Sequence, residues 1–232
     1  MPISVCVFDA YGTLFDVAAP ARRFASEPGR EALAEVWPQL AELWRLKQLQ
    51  YTWLRAAAGV HADFERITRD GLDWAAAKLA QEGMPLAAAD RDALMDVYFE
   101  IDAYPEVPDM LAGLKADGRA TAILSNGTPR MLRAASASAG ISDRLDALLS
   151  VESVGAFKPD PSVYDLVGRR FGVPTGEVLF VSSNPWDAAA ATGFGFRTLW
   201  VNRSGDPADM LPWTPEREAS DLSGVPALAA EL

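Results

Sequence analysis

The sequence predicts an α/β fold with a parallel sheet, and three observations carry that prediction. Short apolar runs rich in β-branched residues recur at Val5 to Phe8, Ala120 to Leu124, Ala147 to Val151, Val178 to Val181 and Phe196 to Val201, each followed by a polar or glycine-containing turn. From Val107 onward these runs alternate with helical stretches, the pattern of parallel strands joined by right-handed crossovers. Between the first run and the second lie about 85 residues of helical character with no strand among them. Together they describe a Rossmann-like core with helices on both faces and an inserted helical cap.

In chain order, Ile3 to Phe8 has the near-continuous hydrophobicity of a central parallel strand, and Gly12 supplies a sharp turn beyond it. Asp9 falls at the strand's carboxyl end, where open α/β sheets bind ligands; capping a helix is its plainer alternative. Leu33, Trp37, Leu40 and Trp44 mark one helical face within Glu31 to Ala58, interrupted at Pro38. Phe64, Ile67, Leu72, Trp74 and Leu79 mark a second helix from Asp63 to Gln81, stopped by Gly83 and Pro85, and a third spans Ala88 to Ile101. The expected division is a core of 1–15 and 103–232, carrying Asp9, and a cap of 16–102 standing over the first strand's carboxyl end.

The core resumes with a helix from Val107 to Asp117, ended by Gly118, and a strand running into Ser125-Asn126-Gly127. Pro129 begins a helix stopped at Gly140, and the strand from Ala147 leads to Lys158-Pro159. A helix from Ser162 to Phe171 precedes the strand that ends in Ser182-Ser183-Asn184-Pro185-Trp186-Asp187. After Asn202 the chain, with Pro207, Pro212, Pro215 and Pro226, yields no regular element.

Composition narrows the chemistry. A net charge of −11 without any basic cluster argues against nucleic acid as a partner. No apolar run reaches the roughly 18 residues of a membrane span, and the N-terminus lacks a signal-peptide pattern, so a cytoplasmic location without membrane attachment is expected. Cys6 is the one cysteine, which excludes an internal disulfide and a cysteine metal cluster. His61 is the one histidine and lies in an alanine-rich connector, so two-histidine metal sites are impossible and a histidine triad is disfavoured.

Asp9, Ser125-Asn126, Lys158 and Ser182 to Asp187 each follow a predicted parallel strand, so all four can face one crevice. One carboxylate, one ammonium, hydroxyl and amide donors and a second carboxylate form a hydrolytic set that needs no metal. Each piece also has an ordinary reading as a turn, an exposed loop or a residue of a helix's first turn.

Asp9 to Phe15, Ser125-Asn126, Lys158-Pro159 and Asp187 resemble the four motifs of the haloacid dehalogenase superfamily across essentially the whole chain. Tyr11 stands where that superfamily's phosphatases place a second aspartate, and Ser182-Ser183-Asn184 replaces an expected acid. Both departures remove carboxylates that magnesium would want. Tyr11, Arg45 within Trp44 to Trp53, and Ser182 to Asp187 are instead similar to the L-2-haloacid dehalogenases.

That resemblance implies hydrolysis of short-chain L-2-haloalkanoic acids to D-2-hydroxy acids and halide, through an ester on Asp9, with no cofactor and no metal. It implies that Thr13 orients Asp9, and that Lys158 balances its charge and steadies a later oxyanion. Ser125 and the backbone amides of Ala10 and Tyr11 would hold the substrate carboxylate, while Arg45 and Asn126 receive the halide. Phe64 and Trp186 would form the apolar wall that accepts the alkyl group and excludes bulk water. Asp187 would be the base for the hydrolytic water, with Asn184 and Ser182 beside it and Tyr164 hydrogen-bonding within the site. Homodimers are usual for the family. The alternatives are a phosphatase or phosphonate hydrolase of the same superfamily, and a non-catalytic binding protein on this fold.

Overall fold

The computed structural model describes residues 1–96 and 98–232. Its strands are β1 (Val5–Phe8), β2 (Ala120–Ser125), β3 (Ala147–Ser150), β4 (Val178–Ser182), β5 (Arg197–Val201) and β6 (Arg217–Ala219). Among the described residues they form one sheet of order β3-β2-β1-β4-β5-β6, with every neighbouring pair parallel. β1 and β4 are buried from end to end, which is why each reads as an unbroken apolar run. Cys6 is part of that packing, and burial pushes its thiol up to about 12. The strand order changes direction between β1 and β4, and such a switch leaves a crevice outside the carboxyl ends of the two strands. Asp9 stands at that point, its backbone N–H donating to Val181 O at 2.9 Å.

The helices α1 (Ala18–Ala25), α2 (Glu31–Ala58), α3 (Phe64–Gln81) and α4 (Ala88–Asp96) all precede β2. Then α5 (Val107–Ala116), α6 (Pro129–Ser138), α7 (Pro161–Phe171), α8 (Pro185–Phe194) and α9 (Val225–Glu231) alternate with the strands or follow them. Proline at the first position starts α6, α7 and α8, and Thr128 and Asp160 cap the first two through their side-chain oxygens. The chain leaves the sheet for α1 and returns from α4 along one paired crossing. Phe15 and Ala103 form an antiparallel bridge, with Asp16 N–H on Asp102 O and Tyr104 N–H on Leu14 O, both at 3.0 Å.

Five features differ from the sequence expectation. A short α1 precedes the three helices expected before β2. The third expected helix ends at Asp96 rather than Ile101, because Tyr98 N–H turns back to Met95 O and Phe99 N–H to Asp96 O, burying Tyr98 and Ile101; Val97 lies outside the described residues. Trp74 is 37% exposed instead of belonging to the buried face of α3, which follows Phe64, Ile67, Gly71, Leu72, Ala75 and Leu79; Lys47 covers its ring at 4.0 Å. The tail without assigned structure holds β6 and α9, and it folds back so that Trp213 covers Gly193, where any Cβ would come within 2.5 Å of the indole. α2 runs unbroken through Pro38, whose ring forfeits one bond to Ala34 O.

Candidate active site

The turn after β1 shapes the floor of the site. Gly12 adopts φ of 87°, and Thr13, Leu14 and Phe15 all direct their N–H groups at Ala10 O, folding the chain tightly enough to return Thr13 to Asp9. Thr13 Oγ1 lies 3.1 Å from Asp9 Oδ2 and accepts the Ser183 N–H at 2.8 Å. Asn184 Nδ2 donates to the same Asp9 oxygen at 3.0 Å, and Lys158 Nζ reaches the other at 3.1 Å. Asp9 is 7% exposed, so these three donors stand in for water around a buried carboxylate.

Beneath Asp9 lies a second carboxylate. Lys158 Nζ bridges to Asp187 Oδ2 at 2.8 Å, an oxygen that also accepts Ser182 Oγ–H at 3.0 Å, while Asp187 Oδ1 accepts Tyr164 O–H at 2.7 Å. Burial raises the Asp187 carboxyl above its ordinary value and the Asp9 charge adds to the rise, against the opposing pull of Lys158 and Tyr164. Burial alone would lower Lys158, but Asp187 and Asp9 outweigh it and hold the ammonium above its ordinary value. Tyr164 is raised by burial and then by Asp187, so it stays a proton donor to that carboxylate. Lys158 is itself fixed through its backbone N–H on Asn126 Oδ1 at 3.0 Å, which ties the end of β2 to the loop after β3.

Residues of the helical segment also reach these groups. Arg45 of α2 donates to Asn184 Oδ1 at 2.6 Å, two bonds from Asp9. Phe64, first residue of α3, stacks on Tyr11 with centroids 6.5 Å apart, and Tyr11 also meets Tyr98 at 5.3 Å. Tyr98 in turn meets Trp44 at 5.3 Å and donates to Gln48 Oε1 at 3.3 Å. Trp186 meets Trp53 of α2 edge-on at 5.5 Å. His61 bonds to Glu152 at 3.1 Å and lies over Phe157, next to Lys158, so it joins the α2–α3 connector to the lysine loop.

Asp9, Thr13, Arg45, Lys158, Tyr164, Ser182, Asn184 and Asp187 are thus connected by direct side-chain bonds. Asn126 joins through the Lys158 backbone, and buried Ser125 accepts Gly127 N–H at 3.1 Å, which leaves its own proton to give. Buried Ala10 and Tyr11 belong to the turn beside Asp9. Sequence reasoning quoted Ser183, Gln48 and Trp53 within motifs without giving them a role, and passed over Tyr98 and Arg203. Gln48 and Trp53 follow Arg45 along α2 at helical spacing, a signal that was legible; Arg203 carried none, lying past the last clear strand. Arg203 Nη2 donates to Thr13 O at 3.2 Å and pairs with Glu106 at 2.7 Å while its guanidinium covers Tyr104. Among the described residues, no group of three or more His, Cys, Asp or Glu side chains is placed to hold a metal ion.

Fold and site define a hydrolase: the chain belongs to the haloacid dehalogenase-like hydrolase family, whose model matches residues 3–195. It is 41% identical over 232 residues to (S)-2-haloacid dehalogenase 1 of Pseudomonas sp. (strain CBS-3), covering 100% of this chain and 98% of that one. The structure of the L-2-haloacid dehalogenase RSc1362 aligns with a TM-score of 0.88 at 40% identity, covering 99% of both chains. That of the L-2-haloacid dehalogenase from Xanthobacter autotrophicus with chloropropionic acid covalently bound aligns with a TM-score of 0.83 at 36% identity, over 97% of this chain and 98% of that one. Among the described residues, no helix is long and apolar enough to cross a membrane.

Proposed function

We propose that the protein hydrolyses short-chain L-2-haloalkanoic acids to D-2-hydroxy acids and halide, with residues 16–102 acting as a cap over the sheet-borne groups. The observation that carries this reading is the buried Asp9 carboxylate, held by Lys158, Thr13 and Asn184 with Arg45 one bond beyond Asn184. An Asp9 oxygen attacks C2 of the haloacid, the carbon–halogen bond breaks with its electron pair leaving on the halide, and an ester forms with inversion at C2. Arg45 and Asn126 receive the halide. Ser125, with the Ala10 and Tyr11 amides, holds the substrate carboxylate, and Phe64 and Trp186 form the apolar wall that takes the alkyl group and excludes bulk water.

Water then attacks the Asp9 carboxyl carbon. Asp187 takes one proton and Lys158 steadies the oxyanion, and the ester's acyl carbon–oxygen bond breaks to release the hydroxy acid. One water proton ends on the product hydroxyl and the other is released to solvent, which restores Asp9. A homodimer belongs to this reading, supported by apolar surface at Leu46, Leu54 and Val60, which are 51%, 61% and 54% exposed.

The test is chloride release from L- and D-2-chloropropionate in the presence of chelator, with the chirality of the lactate determined. D-lactate from the L-substrate alone is expected, and Asp9→Asn should abolish it. No chloride from either enantiomer, with magnesium-dependent release of phosphate from a phosphate ester, would replace this reading with the phosphatase one.

A further inference from the structure

Among the described residues, the hydrogen bond from the helical segment to the loop that carries Lys158 comes from His61, the chain's one histidine. Its Nε2 lies 3.1 Å from Glu152 Oε2, and since a carboxylate only accepts, the imidazole N–H is the donor. The other oxygen, Glu152 Oε1, is buried with no hydrogen-bond partner among the described residues, so the bond to His61 is the one that this side chain makes. The imidazole also lies over the ring of Phe157, with centroids 4.8 Å apart and planes at 33°. Phe157 is 1% exposed and immediately precedes Lys158.

The loop between β3 and Lys158 is tied to the sheet at both ends. At its start Ser150 Oγ accepts Glu152 N–H at 3.3 Å and donates to Gly127 O at 2.7 Å; at its far end Lys158 N–H is held by Asn126 Oδ1. Between these ties the chain turns through Gly155, with φ of 65°, a residue that restrains the backbone little. His61 grips the loop on both sides of that turn, at Glu152 before it and at Phe157 after it.

We infer that His61 is a positioning residue for Lys158: from the cap it holds the lysine loop through Glu152 and Phe157, and so keeps the ammonium in place between Asp9 and Asp187. The inference rests on the dehalogenase reading, in which Lys158 steadies the oxyanion and helps to keep Asp187 ionised for the hydrolytic water. The ammonium lies 3.1 Å from Asp9 and 2.8 Å from Asp187, so a loop shift of about 1 Å carries one of these contacts beyond bonding distance. Among the described residues His61 bonds to neither carboxylate, and its effect passes through the lysine.

The experiment follows bromide release from L-2-bromopropionate by wild type, His61→Ala, His61→Gln, Glu152→Ala and the double alanine variant, each checked for folding by circular dichroism. His61→Ala should lower kcat about tenfold or more with KM nearly unchanged, since a misplacement of about 1 Å can cost roughly a hundredfold. His61→Gln, whose amide still donates to Glu152, should recover part of the rate. Glu152→Ala should resemble His61→Ala, and the double variant should lose little more than either, because both residues act through one contact. The acid limb of kcat should move to higher pH in both single alanine variants, since a displaced ammonium pulls less on the Asp187 carboxyl. Glu152→Ala keeps the histidine, so that movement is not the loss of an imidazole titration. A folded His61→Ala with wild-type kcat, a loss confined to KM, or an acid limb that stays in place overturns the positioning role and spares the dehalogenase reading. If His61→Ala does not fold, Glu152→Ala decides by the same criteria. Absence of bromide with wild type overturns the dehalogenase reading itself.

Discussion

Lys158 and Asp187 meet at 2.8 Å with side chains 1% and 0% exposed, and the same ammonium reaches Asp9 at 3.1 Å. One buried cation therefore serves two buried carboxylates, and removing it leaves both uncompensated.

Lys158→Met should abolish halide release and lower the unfolding free energy by about 3–5 kcal/mol, the usual cost of removing one partner from a buried pair. Adding Asp187→Asn should return part of that stability and none of the activity. Urea unfolding followed by fluorescence checks both; a single variant as stable as wild type would show that the bridge contributes nothing to the fold. Because the ammonium is raised above 10.5 in the folded chain, the stability it adds is fully present below pH 10.5 and is lost as pH climbs through the higher folded value. The stability gap between wild type and Lys158→Met should be flat on the alkaline side up to about pH 10 and shrink beyond it.

The pH dependence of hydrolysis should report on Asp187. Its carboxyl lies above the ordinary 3.8, through burial first, and the Tyr164 bond is one of the interactions pulling it down. Activity that needs the carboxylate is lost as pH falls through the raised value. Tyr164→Phe removes a bond that favours the ionised form, so the acid limb of kcat should move to higher pH. A limb that stays in place would mean that another group is the base.

Arg45→Ala should cut halide release roughly a hundredfold, the scale of losing one preorganised donor at developing charge. Among the described residues, the Arg45 side-chain hydrogen bond is to Asn184, and its loss should leave the melting temperature nearly unchanged. Arg45→Lys should not restore the rate, because an ammonium cannot match the guanidinium fork. Full activity in the alanine variant would remove Arg45 from the reaction.

Arg203 should act on Asp9 at one remove, through Thr13. Its bonds to Thr13 O and Glu106 join the turn after β1 to the start of α5. Arg203→Ala should destabilise the protein by about 1–2 kcal/mol and lower kcat more than it raises KM, because Thr13 loses its anchor while the substrate's own contacts persist. Thermal unfolding and steady-state kinetics on one preparation test this, and an effect confined to KM would point to substrate binding instead.

The parallel sheet was legible because its information is local. β1 and β4 are covered on both faces, so their burial is written directly as apolar runs, and the polar residue that ends each run must lie at the crevice whatever the loops do. Asp9 was found in this way, and Lys158 and Asp187 as residues of the segments that follow β3 and β4. Lys158 beside Asp9 was expected from the family resemblance; that the same ammonium also bonds Asp187, and that Tyr164 closes on Asp187, depends on how separate segments pack, which no local pattern encodes. Trp74 misled for a related reason, since an aromatic residue near an apolar stripe reads as core until the neighbouring helix is seen to leave it outside under Lys47.

The tail shows the same division most plainly. Its prolines mark where helix and strand cannot continue, yet β6 exists because β5 offers it an edge, and Arg203 matters because that edge carries it back to Thr13. Periodicity, turn chemistry and strand ends come from interactions between residues close in the chain, so the amino-acid order alone settled the fold class and the crevice. The bridging of charges, the arginine brace and the His61 tie to the Lys158 loop come from the packing of distant segments, and only the folded molecule decides them.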